Sequence, residues 1–254
     1  MQSRTARATP VTPVTISEAH CSPADVRRIL HETPFFRDLP AEEIPNVADV
    51  FRQHHYAAGE PIYHAGDDAT RLLIVAAGMV RIVRPTIDGQ DVLLDFASPG
   101  AVFGSLQVLG DVTYSDDATA LTGSCILQAT PEAFQGLLTR YPAAALATLG
   151  FVAERLREAH STIEGLSAHP VPRRVAQTLL KLADRVGRER EGDMLIDMPL
   201  SRQDLADMTG ATVETVSRVM SDLKGRGIVD SGRRWVSIVE RESLERIAAG
   251  EIET

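Results

Sequence analysis

The sequence is poor in cysteine and aromatic residues and has no long apolar run. Its 254 residues include 2 cysteines, 1 tryptophan and 5% aromatic residues. Two cysteines as distant as Cys21 and Cys125 make no disulfide framework and fit a reducing cytoplasm, where we expect the protein. No apolar stretch approaches the roughly 20 residues that span a bilayer, and residues 1–14 lack the apolar core of a signal peptide. We therefore expect neither secretion nor a membrane partner.

Basic residues are outnumbered as well. Lys and Arg number 26 against 35 Asp and Glu, and the formal net charge is −9, which by itself argues against a nucleic-acid partner. The balance differs along the chain, because residues 168–239 carry 12 basic and 10 acidic side chains. A contact with nucleic acid is therefore expected in that segment, with weak and strongly salt-dependent nonspecific affinity.

Residues 54–130 have the sequence pattern of a β-sheet domain. Short apolar runs such as 72–75, 80–83 and 92–96 are separated by turns that contain Gly, Asp or Pro. Such turns at intervals of about ten residues are typical of antiparallel barrels and sandwiches. The sequence therefore predicts one large antiparallel domain here.

The N-terminal segment predicts a mobile arm that leads into a helix. Residues 1–22 are rich in Thr, Ala, Pro and Ser and show no apolar periodicity. Ser22, with Pro23 next and Asp25 three residues later, predicts a capped helix start. The residues of this helix predicted to point inward are Val26, Ile29 and Leu30.

Apolar residues at seven-residue intervals predict a dimerisation helix that ends before the prolines of 169–172. Two such series, offset by three residues, fill the a and d positions of the heptads between 142 and 166. A helix that packs only on its own domain needs no strict repeat, so pairing with a second copy is preferred over the alternative, a core helix. The predicted contact residues are Leu149, Val152, Leu156, Ala159, Ile163 and Leu166.

The segment 201–220 has the spacing of a helix-turn-helix. Ser201 and Asp204 predict a capping box at the first helix. Gly210 supplies the left-handed conformation of the turn, and Ala206 is small where the two helices cross. The flanks predict a helix over 173–190, a hairpin wing over 228–238 and an acidic helical tail from 240.

The exposed face of the second helix fits a DNA groove. Arg218 is suited to donate two hydrogen bonds to guanine, and Glu214 to accept one from cytosine. An exposed Glu and Arg pair on an ordinary helix is the alternative interpretation. The predicted base contacts are Glu214, Ser217 and Arg218. The predicted contacts to the DNA backbone are Ser201, Arg202, Gln203, Thr212, Arg233 and Arg234.

The order of these parts resembles the CRP/FNR transcription regulators. The resemblance rests on the glycine-containing string of residues 99–104, Pro-Gly-Ala-Val-Phe-Gly, and on residues 213–218, Val-Glu-Thr-Val-Ser-Arg. It implies an α+β fold with an N-terminal cyclic-nucleotide-binding-like β roll, a long dimerisation helix and a C-terminal winged helix-turn-helix. The predicted bounds are 1–22 for the arm, 23–140 for the sensor β roll, 141–168 for the dimerisation helix, 169–240 for the winged-helix domain and 241–254 for the helical tail.

The resemblance also implies partners. It predicts a homodimeric activator on double-stranded DNA, reading an inverted repeat with TTGAT-like half-sites under the control of an effector, redox or gas signal. The turn at 88–91 is the predicted contact with RNA polymerase. A ligand-binding module that acts through protein contacts is the alternative. An enzyme is not expected, because no nucleophile with a base, no metal-ligand spacing and no phosphate-binding loop is found.

By the same resemblance, the effector pocket contains Ser105, Tyr114, Ser115 and His160. Members that bind cyclic AMP carry Glu in place of Ser105 and Arg in place of Tyr114. The cyclic phosphate would therefore lack its cation, and cyclic AMP is not expected. The effector itself stays unknown.

Two metal-based sensors follow from the family. A four-cysteine iron–sulfur cluster is not expected from a chain with 2 cysteines. Cys125 is interpreted as a core residue of a strand and Cys21 as an incidental exposed thiol. Haem at His160 stays an open alternative, and its second ligand would come from His20, Cys21, His54, His55 or His64.

Overall fold

The computed structural model describes residues 21–86, 91–104, 112–190, 192–232 and 235–252. Its contacts form two compact units, whose described parts are residues 21–163 and 164–252. Several predictions concern residues outside these ranges, namely most of the arm with His20, the turn at 88–90, Ser105, Arg233 and Arg234.

Two antiparallel four-stranded sheets form the core of the first unit, with strand orders β1-β8-β3-β6 and β2-β7-β4-β5. The strands are β1 Arg52–Tyr56, β2 Pro61–Tyr63, β3 Leu72–Ala77, β4 Val80–Pro85, β5 Asp91–Ala97, β6 Val102–Phe103, β7 Asp117–Ala120 and β8 Ser124–Ala129. The helices are α1 Pro23–Glu32, α2 Ile44–Ala48, α3 Pro131–Arg140 and α4 Pro142–Ala168, with a 3-10 turn at Ala41–Glu43. The predicted β roll is confirmed.

Strands β3 and β8 are buried on both faces. Ile74 and Cys125 belong to a core shared with helices α1 to α4, whereas Leu73 and Ile126 belong to a second core shared by the two sheets. Successive side chains of a strand point to opposite faces, so one strand serves both cores. The run of six buried residues in β8 follows from this position.

Helix α1 begins where the sequence predicts. The Ser22 hydroxyl accepts the Asp25 N–H at 3.2 Å, and the Asp25 carboxylate accepts the Ser22 N–H at 3.2 Å. This capping box satisfies donors that a helix start leaves unpaired. The residues predicted to point inward, Val26, Ile29 and Leu30, are buried.

The few aromatic residues are concentrated beneath the helices. Phe35 packs against Phe134 of α3 at 5.4 Å between ring centroids and against Phe151 of α4 at 5.2 Å. Phe36 packs edge-on against Phe35 at 6.0 Å. These contacts fix one face of α4 to the rest of the first unit.

The second unit combines four helices with a sheet of order β11-β12-β10-β9. Its elements are α5 Val171–Val186, β9 Gly187–Arg190, β10 Asp193–Ile196, α6 Arg202–Thr209, α7 Val213–Gly225, β11 Val229–Gly232, β12 Trp235–Ile238 and α8 Arg241–Ala249. The helix expected over 173–190 is wrong at its end, because residues 187–190 form β9. Pairing of β9 with β10, whose Leu195 and Ile196 are buried, outweighs the local helical pattern.

The C-terminal helix α8 is part of this core. Leu244 and Ile247 are buried, and the carbonyl of Ala248 accepts hydrogen bonds from Arg173 at 2.9 Å and Gln177 at 3.0 Å. Both donors lie on α5, so α8 is fixed to that helix.

Within the described ranges, no single helix is both long and apolar enough to cross a membrane. Helices α3 and α4 reach that length and apolarity only when taken together, across a bend of 117°.

Two glycines with the same backbone conformation allow a test of close packing. Gly78 and Gly59 both have φ +85°, but a Cβ at Gly78 would lie 2.4 Å from the Gly123 carbonyl oxygen, whereas a Cβ at Gly59 has nothing within 4 Å. Left-handed strain costs both alanine variants about 1–2 kcal/mol. We expect Gly78→Ala to lower the free energy of unfolding by a further 1–3 kcal/mol or so, measured by urea denaturation. Equal losses in the two variants would contradict the packing described around Gly78.

Candidate nucleic-acid interface

Helices α6 and α7 form the helix-turn-helix that the sequence predicts. The Ser201 hydroxyl accepts the Asp204 N–H at 3.0 Å, and the Asp204 carboxylate accepts the Ser201 N–H at 2.9 Å. Gly210 ends α6 in the left-handed conformation, with φ 55° and ψ 42°. Ala206 is buried where the helices cross. Local capping and one glycine thus fix the angle at which α7 leaves the turn.

The turn also contacts the end of α4. A Cβ at Gly210 would lie 2.9 Å from Leu166 Cδ2. Leu166 is 45% exposed, so its side chain lies against the turn and still reaches solvent. This residue of the predicted dimer series therefore has a second role within its own chain.

Helix α7 separates buried and exposed faces. Val216 and Val219 are buried, whereas Glu214 and Arg218 are exposed and Ser217 is half-buried. All three predicted base-contact residues therefore retain access to solvent on α7.

The start of α7 is capped by Thr212. Its hydroxyl accepts the Thr215 N–H at 3.3 Å. Hydrogen bonds from the backbone N–H of Glu214 and from the Thr212 hydroxyl lower the pKa of the Glu214 carboxyl. Glu214 is therefore ionised at neutral pH and acts only as an acceptor.

Arg202 lies partly inside the second unit. Its Nη2 donates to Ser231 Oγ of β11 at 2.9 Å, and burial lowers the pKa of its guanidinium. Gln203, next along α6, is exposed and donates to Asp207 at 2.6 Å. Of these two predicted backbone contacts, Arg202 also holds the hairpin to α6.

A second basic residue holds the hairpin to α7. Lys224 Nζ lies 2.8 Å from the Asp230 carboxylate and donates to the Ser231 carbonyl at 2.9 Å. No local sequence signal predicts this contact, because Lys224 and Asp230 are brought together by the turn between α7 and β11.

Helix α4 leaves an apolar row exposed. Leu149, Val152, Leu156, Ile163 and Leu166 are between 38% and 64% exposed, and Ala159 is exposed as well. Leu146, which is 70% exposed, extends the row by one turn. The sequence-based prediction omits it, although its position three residues before Leu149 places it on the same face of the helix. A core helix would bury such residues within the chain, so that alternative is disfavoured.

Another face of α4 is fixed to the β-sheet domain of the first unit. Arg155 Nη1 lies 3.1 Å from the Asp95 carboxylate of β5 and 3.2 Å from Glu158. Its guanidinium also lies 5.7 Å from the ring centroid of Phe151. Burial opposes the charge of Arg155, but Asp95 and Glu158 outweigh it and raise the pKa of Arg155.

Tyr114, a predicted pocket residue, fills the space between the two sheets. Its ring stacks on Tyr63 with centroids 3.8 Å apart, and its hydroxyl donates to the Arg71 carbonyl at 3.1 Å. The Tyr63 hydroxyl donates to Asp116 at 2.8 Å. Burial, reinforced by the Asp116 charge, raises the pKa of Tyr63, so both rings are neutral members of the core.

Ser115, the next predicted pocket residue, is exposed beside a cation. Arg84 of β4 donates to the Ser115 carbonyl at 3.1 Å and to its hydroxyl at 2.9 Å. The expectation that this position lacks a cation is therefore wrong. Arg84 is 31 positions away along the chain and approaches through the pairing of β4 with β7, which no local pattern predicts. A carboxylate is close too, since the Ser115 hydroxyl lies 3.2 Å from Asp116.

Of the histidines considered for haem, the four that the structure describes are exposed, namely His54, His55, His64 and His160. His160 is exposed on α4, with the charged residues Arg157 and Glu164 on the adjacent turns. His64 is also exposed and lies 3.7 Å from Asp117. In the ranges that the structure describes, no group of three or more His, Cys, Asp or Glu could hold a metal. The surroundings of His160 do not fit haem, which needs an enclosing pocket.

The interpretation of Cys21 as an exposed thiol is wrong. Cys21 is 8% exposed and belongs to the same core as Cys125, which is fully buried. Val26, Ile29 and Leu30 of α1 are buried in that core, and Cys21, two residues before the helix, is drawn into it. Cys125 lies in β8, as expected.

Comparison with known families agrees with this architecture. The cyclic nucleotide-binding domain family matches residues 53–141, and the Crp-like helix-turn-helix domain family matches residues 173–247. Together with the fold, these matches define a DNA-binding transcription regulator with a domain of the cyclic nucleotide-binding type.

Individual relatives are similar over most of the chain. The cyclic AMP receptor protein of Thermus thermophilus is 34% identical over 86% of this chain and 98% of its own length. The transcriptional activator protein FnrL of Cereibacter sphaeroides is 26% identical over 79% of this chain and 82% of its own. The structure of FixK2 from Bradyrhizobium japonicum has a TM-score of 0.68 and 27% identity, covering 78% of this chain and 97% of that one. The chain belongs to the CRP/FNR family of transcription regulators.

Proposed function

We propose that two copies of the chain bind an inverted DNA repeat with TTGAT-like half-sites, one α7 helix in each major groove, and activate transcription there. The observation that supports this is the exposed face of α7, where Glu214 and Arg218 project from a capped helix whose other face is buried. Two such helices must lie about 34 Å apart to meet successive major grooves on one side of the duplex.

The base contacts follow from the donors and acceptors on this face. Arg218 has the planar fork that matches guanine O6 and N7, and ionised Glu214 accepts from cytosine N4. Ser217, between them on the helix surface, offers a hydroxyl to either kind of partner.

Phosphate contacts would surround the base contacts. Gln203 and Thr212 lie at the starts of α6 and α7, where helix dipoles also attract phosphate. Ser201 and Arg202 lie at the same end of α6, and Arg202 has the added task of holding the hairpin. Arg233 and Arg234 stay predictions from the sequence.

Dimerisation is supported by the apolar row of α4. A row of large aliphatic side chains at heptad positions is costly to expose and pairs well with its own copy. The face fixed by Phe151 and Arg155 is left to the sensor unit. Movement of the sensor relative to α4 would then alter the pairing of the two copies, and with it DNA affinity. Contact of residues 88–91 with RNA polymerase belongs to the same proposal.

Replacement of Arg218 tests the assignment of the DNA-reading face. Arg218→Ala should weaken binding to the palindromic site by about 1–3 kcal/mol and abolish the preference for one base pair, because a bidentate contact is lost. Arg226→Ala is the matched control, since Arg226 lies at the other end of α7 and pairs with Asp222 at 3.4 Å. We expect the control to change affinity less than about twofold, measured by fluorescence anisotropy at fixed salt. Equal binding of the wild-type protein to a scrambled site would overturn the proposal.

Replacement of Leu156 tests the dimer. Leu156→Asp places a charge in the middle of the exposed row and should yield a particle of one chain, 27.5 kDa, by light scattering. Leu94→Asp is the control, because Leu94 is an exposed leucine of the sensor sheet, at 41% against 57% for Leu156. It should retain twice that mass. Circular dichroism verifies that both variants are folded, and a dimeric Leu156→Asp protein would refute the assignment.

Cyclic AMP is not the effector in this proposal. The Tyr63 and Tyr114 rings fill the space between the sheets, and Asp116 beside Ser115 would repel a phosphate. Arg84 supplies a cation, but its hydrogen bonds are already directed at Ser115.

A thermal shift assay tests the exclusion of cyclic AMP as the effector. A nucleotide present at 100 times its Kd would stabilise the folded protein by about 2.7 kcal/mol. We expect millimolar cyclic AMP to leave the melting temperature unchanged, and Arg84→Ala to respond in the same way. A saturable rise in the wild type that Arg84→Ala removes would show that Arg84 and Ser115 bind the phosphate.

A further inference from the structure

The two cysteines of the chain meet in one core. Cys125 lies in β8, opposite His55 on one neighbouring strand and Ala77 on the other. Its side chain is on the helix-facing side of the sheet, in the core that contains α1. Cys21 belongs to that core as well and directly precedes Ser22, the N-cap of α1.

The two thiols are hydrogen-bond partners within that core. The sulfur of Cys125 accepts one hydrogen bond from the thiol of Cys21 and a second from the backbone N–H of Cys21. Gln53 Oε1 lies 4.0 Å from the same sulfur. The capping box at Ser22 fixes the backbone conformation of the residue that directly follows Cys21.

We propose that Cys21 and Cys125 are a redox modification site, at which a peroxide forms an intramolecular disulfide. This inference is independent of the proposed DNA-binding function. It joins two thiols that already share one core and a hydrogen bond.

The reaction takes two steps. Cys21, the more accessible sulfur, takes one oxygen from the peroxide, whose O–O bond breaks, and becomes a sulfenic acid while water or an alcohol leaves. The thiolate of Cys125 then attacks the Cys21 sulfur, the S–O bond breaks, and water leaves. The two sulfurs lose two electrons in total, and the peroxide takes them up together with the two thiol protons.

Burial of the two thiols determines the rate at which they are oxidised. Desolvation raises the pKa of both thiols, and only the thiolate is nucleophilic. Hydrogen bonds from Cys21 partly offset this effect at Cys125, which favours Cys125 as the attacking sulfur. Oxidation should therefore be slow at neutral pH and faster by about tenfold per pH unit in the alkaline range.

The bond would restrain the unfolded chain. It closes a loop of about 100 residues between the start of α1 and β8, which stabilises the folded state mainly by limiting the unfolded one. For a unit of this size we expect the melting temperature to rise by roughly 10 °C.

Hydrogen peroxide treatment of the full chain tests the proposal. After alkylation under denaturing conditions, the mass of the single chain should be that of the reduced, unalkylated chain less two hydrogens. The peptides that contain Cys21 and Cys125 should be cross-linked. Dithiothreitol should restore both thiols and the original melting temperature. Cys21→Ser and Cys125→Ser are the controls, and neither should gain thermal stability from peroxide.

Three results would overturn the proposal. After peroxide treatment of the folded protein at pH 9, both thiols could still react with the alkylating agent, although the same conditions oxidise the denatured chain. Peroxide could yield sulfinic or sulfonic acids with no cross-linked peptide. The cross-link could join two chains instead of two cysteines of one chain. Cys21→Ser and Cys125→Ser would then show which cysteine forms it, because only the variant that keeps the reactive cysteine would still cross-link. Because the wild-type peptide map decides among these, the test stands even if a serine variant fails to fold.

Discussion

Burial of β3 and β8 on both faces is the constraint on which the sensor unit depends. A strand between two cores offers no polar face, so its neighbours must cover it completely, with sheet on one side and helices on the other. On the inter-sheet side this brings in the stacked rings of Tyr63 and Tyr114. On the helix side it packs α1 on the sheet and brings Cys21 and Cys125 into one core. The tyrosine rings between the sheets and the shared core of the two cysteines are thus two consequences of one packing arrangement.

Helix α4 divides its circumference between two kinds of contact. Phe151 and Arg155, four residues apart, lie on one face and hold the sensor through an aromatic cluster and the ion pair with Asp95. Leu149, Val152 and Leu156 follow the heptad spacing of another face and are exposed. A half-buried ion pair is weak evidence for stability, because desolvation offsets much of its attraction. Its directional geometry is better suited to fixing the rotation of α4 about its own axis.

Local signals predicted the parts of the fold that local energetics determine. The capping boxes at Ser22 and Ser201, the turn at Gly210 and the heptad row of α4 depend on residues within a few positions of one another. Three other features depend on contacts across the sheets: the contact of Arg84 with Ser115, the burial of Cys21 and the strand β9. These arise from pairing between segments distant along the chain, which periodicity and capping rules do not register. The predicted surroundings of Ser115 and Cys21 were therefore less accurate than the predicted helix-turn-helix.

Internal contacts engage some of the basic side chains that are counted in the charge of the second unit. Residues 168–239 carry a small excess of basic side chains, but several of these cations are engaged within the fold. Lys224 pairs with Asp230 at 2.8 Å, Arg188 with Asp197 at 3.1 Å, and Arg202 is directed at Ser231. Cations engaged in this way attract phosphate less strongly than the count of basic residues implies. We therefore expect a protein with a net charge of −9, in which several cations are engaged within the fold, to bind random DNA weakly, because each phosphate contact supplies part of the salt-dependent affinity. In the proposed function, occupancy of a site then depends on the base contacts of α7 and on the doubling of those contacts by a dimer.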